Sequence, residues 1–265
     1  MRNLPYTIHS HHQVLTLTGH GRTFVCGDLH GCYDELIHEL SLVAFDRGTD
    51  SLVVLGDITD RGIKNHECVK LLSEPWFNST LGNHDEMMMN AINPRSDKSF
   101  WRANGGGWFD LLTFTEQEEV QFVCERYVGR LPLSMTLILP DDTHVGLIHA
   151  DAPSDWRKAM EGTQARTEAL WGRQRIRHGN TRPVENVDMV LVGHTSNNTM
   201  IRLGNVVYID TGAGFKNGRL TLLEIGNSRE ELEANISLRQ KADRMTQHPG
   251  ILFEPRGTYS TGDNM

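Results

Sequence analysis

Several shortages in the sequence each remove a class of function. No run of apolar residues approaches the ~18 that a membrane-spanning helix needs. The first residues, Met1-Arg2-Asn3-Leu4-Pro5-Tyr6-Thr7, lack the apolar core of a secretory leader. Cysteine is sparse: Cys26, Cys32, Cys68 and Cys124 form no CxxC pair and keep no regular spacing. That argues for reduced thiols and against a disulfide framework. Basic charge is in deficit, with 26 Lys and Arg against 34 Asp and Glu and a formal net charge of -8. A broad basic surface for unspecific nucleic-acid binding is therefore excluded. There is no internal repeat, and no linker long enough to split the 265 residues. The expectation is one cytoplasmic catalytic domain with no membrane and no nucleic-acid partner; oligomeric state leaves no readable mark.

What is present is a repeated unit. Residues 1–21 are polar and carry His9, His11, His12 and His20, which reads as a mobile or loosely docked N-terminal extension. Phe24-Val25-Cys26 is then a short apolar run that stops at Gly27-Asp28, the pattern of a buried strand entering a loop. Leu36, Ile37, Leu40 and Val43 space an amphipathic helix over 33–44. A strand over 51–55 ends at Gly56-Asp57, and a helix follows over 64–73. A third strand over 78–81 leads into Gly82-Asn83-His84-Asp85 and a helix over 87–92. Strand, loop and helix in threefold succession predict an α/β protein with a largely parallel sheet, its polar clusters at strand carboxyl ends.

Residues 98–130 read as mostly helical, interrupted by Gly105-Gly106-Gly107. Strands follow over 135–139, 145–149, 189–192, 206–209 and 220–225, with a short helix and an arginine-rich loop within 154–185. The catalytic domain is expected over 22–226. The C-terminal extension, 227–265, begins as a charged helix over 228–238 and ends in a Pro/Gly/Asn-rich run that reads as disordered.

Five clusters carry the chemistry: Gly27-Asp28-Leu29-His30-Gly31, Gly56-Asp57-Ile58-Thr59-Asp60-Arg61-Gly62, Gly82-Asn83-His84-Asp85, His149-Ala150-Asp151 and Gly193-His194-Thr195. Singly, each passes as a turn or a satisfied polar residue. Five in succession, all at strand ends, do not. Asp, His and Asn offer oxygen and imidazole ligands without thiolate, a set suited to Mn, Fe or Zn. Asp28 and His30, two residues apart, point to one side, and a carboxylate such as Asp57 has lone pairs enough to bridge two ions. Two cations roughly 3.5–4 Å apart can activate a shared water and clamp an in-line displacement at phosphorus.

In this order the clusters resemble the signature of the phosphoprotein phosphatase branch of the calcineurin-like metallophosphoesterases, in the form of the phage lambda-type and bacterial serine/threonine phosphatases. Supporting stretches are Asn104-Gly105-Gly106-Gly107-Trp108-Phe109, Leu170-Trp171-Gly172-Arg173 and Tyr208-Ile209-Asp210-Thr211-Gly212-Ala213. The resemblance spans residues 22–226. It implies two packed mixed β-sheets flanked by helices, an α-β-β-α sandwich. It implies that Asp28, His30 and a bridging Asp57 hold one divalent ion, while Asp57, Asn83, His149 and His194 hold a second. Manganese is the expected metal, with iron, zinc or nickel as alternatives. A hydroxide between the ions would attack a phosphate monoester of a protein or small molecule. His84 would be the general acid, Asp60 its carboxylate partner, and Arg61 and Arg173 the grip on phosphate oxygens.

Two positions depart from the branch. It commonly reads Arg-Gly-Asn-His-Glu, whereas this chain reads Leu81-Gly82-Asn83-His84-Asp85. The latter form is also that of the related symmetrical diadenosine tetraphosphate hydrolases, which leaves that substrate as the alternative. Those enzymes carry a small residue where this chain has Asp60, because a phosphate leaving group has less need of a proton. A catalytically dead binding module would have lost a ligand or the acid, and none is missing. Arg173 sits among Arg166, Arg175 and Arg177, so plain surface charge is its other reading; His144 and His178 read as surface residues.

Overall fold

Side chains along a strand alternate between two faces, and here most strands are buried on both. The computed structural model describes residues 11–93 and 95–247. Its strands are β1 (His12–Thr16), β2 (Thr23–Cys26), β3 (Ser51–Val54), β4 (Phe77–Ser79), β5 (Ser134–Ile138), β6 (His144–Ile148), β7 (Met189–Val192), β8 (Ile201–Leu203), β9 (Val206–Tyr208) and β10 (Leu222–Glu224). The helices are α1 (Tyr33–Leu42), α2 (Asn65–Leu71), α3 (Asn83–Ala91), α4 (Ser99–Ala103), α5 (Phe114–Arg126), α6 (Arg157–Met160), α7 (Arg166–Trp171), α8 (Gln174–Arg177) and α9 (Arg229–Gln247). Among the described residues no helix is long and apolar enough to cross a membrane.

The strands form a four-stranded sheet, β10-β2-β3-β4, and a six-stranded sheet, β1-β5-β6-β7-β9-β8. Both are mixed. β2, β3 and β4 are parallel with β10 antiparallel at the edge, and β5–β6 and β8–β9 are antiparallel pairs in the larger sheet. Parallel pairing predominates, as the strand–helix repeat predicts for β2, β3 and β4, and the antiparallel pairs make the two sheets mixed, as the resemblance implies.

Alternation then builds the layers. Val25 and Val53 face inward, where they meet Met135, Leu137, Val145, Leu147, Leu191 and Val207 of the other sheet. Their neighbours Phe24, Cys26, Leu52 and Val54 face the opposite way and pack under the helices of the first half of the chain. On the far side, Ile148, Val190, Val192 and Tyr208 pack against Trp156 and Ala159. Truncating one fully buried aliphatic in such a layer costs about 2–5 kcal/mol, so the inter-sheet layer is what fixes the two sheets against each other. The four cysteines are buried and unbonded.

Residues 12–16, expected within a loosely docked extension, are an edge strand. β1 pairs in parallel with β5, from His12 opposite Ser134 to Thr16 opposite Ile138. Leu15 and Leu17 pack on the inter-sheet core. At the other end α9 runs well past the predicted 228–238, and Leu232 and Ile236 close the same core. The disordered run expected at the C-terminus lies largely outside the described residues, as do residues 1–10.

His12 gives β1 a pH dependence. Its Nδ1 lies 2.8 Å from Ser134 Oγ and its Nε2 3.0 Å from Thr136 Oγ1, and burial pulls its pKa from 6.5 down to about 4. A depressed pKa means that its stabilising contribution is complete above pH 6.5 and is lost as pH falls through about 4. After discounting for partial exposure this is worth about 1–3 kcal/mol. Thermal melts of wild type and His12→Gln should therefore diverge in slope between pH 7 and pH 4, the wild type falling more steeply. Parallel slopes would count against the assignment.

Candidate metal centre

The carboxyl ends of strands from both sheets meet at one crest, and the chain must turn sharply there. Five of the candidate residues take left-handed backbone: His30 (φ 44), Asp57 (φ 48), Asp60 (φ 77), Arg61 (φ 66) and His194 (φ 62). Each such residue costs on the order of 1 kcal/mol and persists only where its surroundings hold it. Those surroundings are side chains clasping backbone. The Asp85 carboxylate accepts from the N–H groups of Asp57 (2.9 Å), Ile58 (3.0 Å) and Gly82 (2.9 Å). Asn65 Oδ1 accepts from Asp60 N at 2.7 Å, and Asp28 accepts from His194 N at 2.9 Å. Gly82 permits a close approach, since a Cβ there would stand 2.1 Å from Asp57 N.

Leu81 and Asp85, where the sequence departs from the phosphatase pattern, are 1% and 0% exposed. Leu81 lies in the helix-side core, and Asp85 grips the Asp57 loop from beneath. Neither faces the opening, so the departure acts through the support of the loop.

Above that support the side chains converge. Asp28, His30, Asp57, Asn83, His84, His149 and His194 are all buried. Two trios bring their ligand atoms within 4.8 Å of one another, His30–Asp57–His84 and Asp57–His149–His194, with Asp57 common to both. Asp28 Oδ2 stands 3.8 Å from His30 Nε2, and Asn83 Oδ1 2.9 Å from His149 Nε2. A backbone carbonyl can only accept. His30 Nδ1 therefore donates to Thr59 O at 2.9 Å, and His149 Nδ1 to Leu55 O at 2.7 Å, which leaves both Nε2 lone pairs facing inward.

The donor set fits divalent cations. Around His149 Nε2 stand Asp57 Oδ1 at 3.4 Å, Asn83 Oδ1 and His194 Nδ1 at 3.1 Å. A proton on His194 Nδ1 would relieve one of these contacts, yet His194 Nε2 is buried with no partner. Burial lowers the His30 pKa to about 3 and that of His194, with His149 beside it, to about 2. Both rings thus stay neutral, the form in which imidazole binds metal. Burial, with Asp210 and Asp57 nearby, pushes Asp28 well above the usual carboxylate range. Converging lone pairs, short of protons and beside clustered buried carboxylates, call for positive charge.

His84 differs from the other imidazoles. Its Nδ1 donates to Asp60 Oδ2 at 2.6 Å. Burial opposes its protonation, but Asp57 and Asp60 outweigh that and raise its pKa above the ordinary value. Arg61 reaches over the site, Nη2 at 2.9 Å from His84 Nε2 and Nη1 against His30 Nε2. Its guanidinium stacks on Phe215, 4.6 Å from the ring centroid. Arg173 lies on the far side beside His194, Nε 3.3 Å from Thr195 Oγ1 and Nη2 3.3 Å from His194 O. The structure thus brings all ten sequence-predicted residues to one crest. His144 and His178 take no part in it.

Sequence reasoning did not identify four supporting residues. Asp85 was read only as a departure from the phosphatase pattern. Asp151 Oδ2 accepts from Gln174 N at 2.6 Å and Arg175 N at 3.2 Å, fixing the start of α8 immediately after Arg173. Trp101 and Trp108 both point their indole N–H groups at Asp60. Only Trp108 lay in a stretch that the sequence had flagged.

With this geometry in view, the likenesses to known proteins are consistent. The sequence model of the calcineurin-like phosphoesterases matches residues 21–197. Serine/threonine-protein phosphatase 2 of Salmonella typhimurium is 34% identical over 206 residues, 76% of this chain and 92% of that protein. The symmetrical bis(5'-nucleosyl)-tetraphosphatase of Actinobacillus pleuropneumoniae (serotype 3) is 45% identical, but over 65 residues, 24% of each chain. In fold, a Saccharomyces cerevisiae protein serine/threonine phosphatase superposes with a TM-score of 0.57 at 16% identity, covering 82% of this chain and 76% of that one. The crest of buried aspartates and histidines thus belongs to a member of the calcineurin-like phosphoesterase family, a family of hydrolases with a dinuclear divalent metal centre.

Proposed function

We propose that this protein is a metal-dependent phosphoprotein phosphatase acting on serine/threonine-type phosphate monoesters. The observation that carries the reading is the His84–Asp60 pair, a buried imidazole whose protonated form is favoured by a carboxylate 2.6 Å away. Asp28, His30 and Asp57 would hold one ion and Asp57, Asn83, His149 and His194 the other, with manganese the metal we propose. Two such ions supply Lewis acidity and activate water at neutral pH.

The protein's own groups do the rest. Arg61 and Arg173 flank the site, and their planar forks match phosphate oxygens. Anchored on Phe215, Arg61 would turn its N–H groups from the imidazoles to a bound phosphate. That would leave His84 Nε2 free to take up a proton and pass it to the departing oxygen. An alkoxide is a poor leaving group, so a positioned acid is worth about 10²–10⁴ in rate. A dinucleoside polyphosphate releases a phosphate, a weaker base, and would draw less on the pair. Likeness to tetraphosphatases over part of their length supports that second reading, whereas the phosphatase relative is matched along nearly its whole length.

Substrate class is decided by one side-by-side assay. Protein supplied with Mn²⁺ should cleave a phosphoserine peptide at least about tenfold faster than diadenosine tetraphosphate, and the reverse order would overturn the proposal. For the acid, His84→Asn should reduce kcat on an alkyl phosphate by about 10²–10⁴ but far less on an activated aryl phosphate; equal losses would remove His84 from that role. For the bridge, Asp57→Asn should lose bound metal together with activity. A variant retaining two equivalents of metal by elemental analysis would show the bridge to be misassigned.

A further inference from the structure

The acid pair stands on a structure of its own. Asp60 is 0% exposed, and its two carboxylate oxygens have separate duties. Oδ2 takes the His84 proton donor at 2.6 Å. Oδ1 takes Trp108 Nε1 at 2.8 Å. Trp101 Nε1 lies between them, 3.0 Å from Oδ1 and 2.9 Å from Oδ2. Two indoles and one imidazole therefore set the carboxylate plane, with Oδ2 facing His84.

The choice of tryptophan has chemical consequences. An indole N–H only donates. It offers Asp60 no base with which to share a proton, and it carries no charge that would compete with His84 for the carboxylate. An arginine or lysine in the same place would form its own ion pair and draw Asp60 away. A buried indole N–H in turn needs an acceptor, and Trp101 is 2% exposed, so each side of the contact requires the other.

The backbone is shaped to deliver this contact. A Cβ on Gly106 would lie 2.3 Å from the Trp101 ring, and one on Gly105, at φ +114, would meet Arg61 N at 3.0 Å and Asp60 Cβ at 3.1 Å. These glycines let the 3₁₀ turn Gly106–Leu111 press against Asp60 and bring Trp108 edge-on to Trp101, ring centroids 5.9 Å apart.

We propose that Trp101 and Trp108 are positioning residues that fix Asp60 for its hydrogen bond to His84. The inference rests on the general-acid reading of His84. Trp108 is the residue to vary, because it is only part-buried and phenylalanine keeps its ring against Trp101 and Phe109.

The test is a double-mutant cycle in the metal-loaded enzyme. Trp108→Phe should lower kcat on a phosphoserine peptide about tenfold, the worth of one hydrogen bond to a charged group, with KM within about twofold. Its loss on an activated aryl phosphate should be within about threefold. Added to Asp60→Asn, the substitution should cost nothing more. Multiplied losses in the double variant, equal losses on both esters, or a Trp108→Phe enzyme at the wild-type rate would overturn the proposal. A second measurement needs no tryptophan variant: of the five indole N–H signals, those of Trp101 and Trp108 should move upfield in Asp60→Asn while the others stay. Unmoved signals would also overturn it. The wild-type preference between peptide and dinucleotide reports on the phosphatase reading alone, so the two failures are distinguishable.

Discussion

The carboxylate of Asp57 is out of water at the point where the two sheets meet, and a buried carboxylate without partners would destabilise a domain by several kcal/mol. Burial opposes its ionisation, yet the protonated forms of the imidazoles around it, His149 and His84 foremost, draw it below the usual carboxylate range. The N–H of His84, in the first turn of α3, donates to its Oδ1 at 2.8 Å. One carboxylate thereby fixes the relative placement of β3, the α3 N-terminus and the loops after β6 and β7. That is the geometry from which a two-ion centre is read: a single acid shared by two sets of imidazoles.

Such a centre requires backbone that regular structure does not supply. His30, Asp57, Asp60, Arg61 and His194 all depart into left-handed conformations, and the stabilising contacts are polar. Asp85, Asn65 and Asp28 each accept from main-chain N–H groups of these turns. The apolar layers hold the sheets together, whereas these side-chain clasps hold the turns above them. A substitution in the first set should act on stability, one in the second on the site.

How much of this could be read from sequence depends on whether partners are close along the chain. The polar clusters were legible because each lies within a few residues after a short apolar run, and the strand pattern placed them together. Strand β1 was not: its apolar content is little more than Val14 and Leu15, and its pairing partner lies over 120 residues away. The mixed pairing of the sheets came only through the family resemblance, since alternation within a strand says nothing of its neighbour's direction. Asp85 showed in the sequence only as a departure from the branch's pattern. Its function is set by the N–H groups of Asp57 and Ile58, which only the fold brings beneath it. Trp101 donates across 41 residues to Asp60 and had no local signal at all.

The contrast between the two readings of substrate comes down to the basicity of the leaving oxygen. Metal ions and arginines stabilise charge on the transferring phosphoryl group whichever substrate is bound, and so they favour neither. A general acid acts on the leaving oxygen alone, and its value rises with the basicity of that oxygen. His84 is the imidazole at the crest with a raised pKa, and its partner Asp60 is held by two indole donors on a glycine-shaped turn. An enzyme cleaving anhydrides would gain little from so much structure behind one proton. For the alkoxide of a serine or threonine ester, that proton separates a slow departure from a fast one.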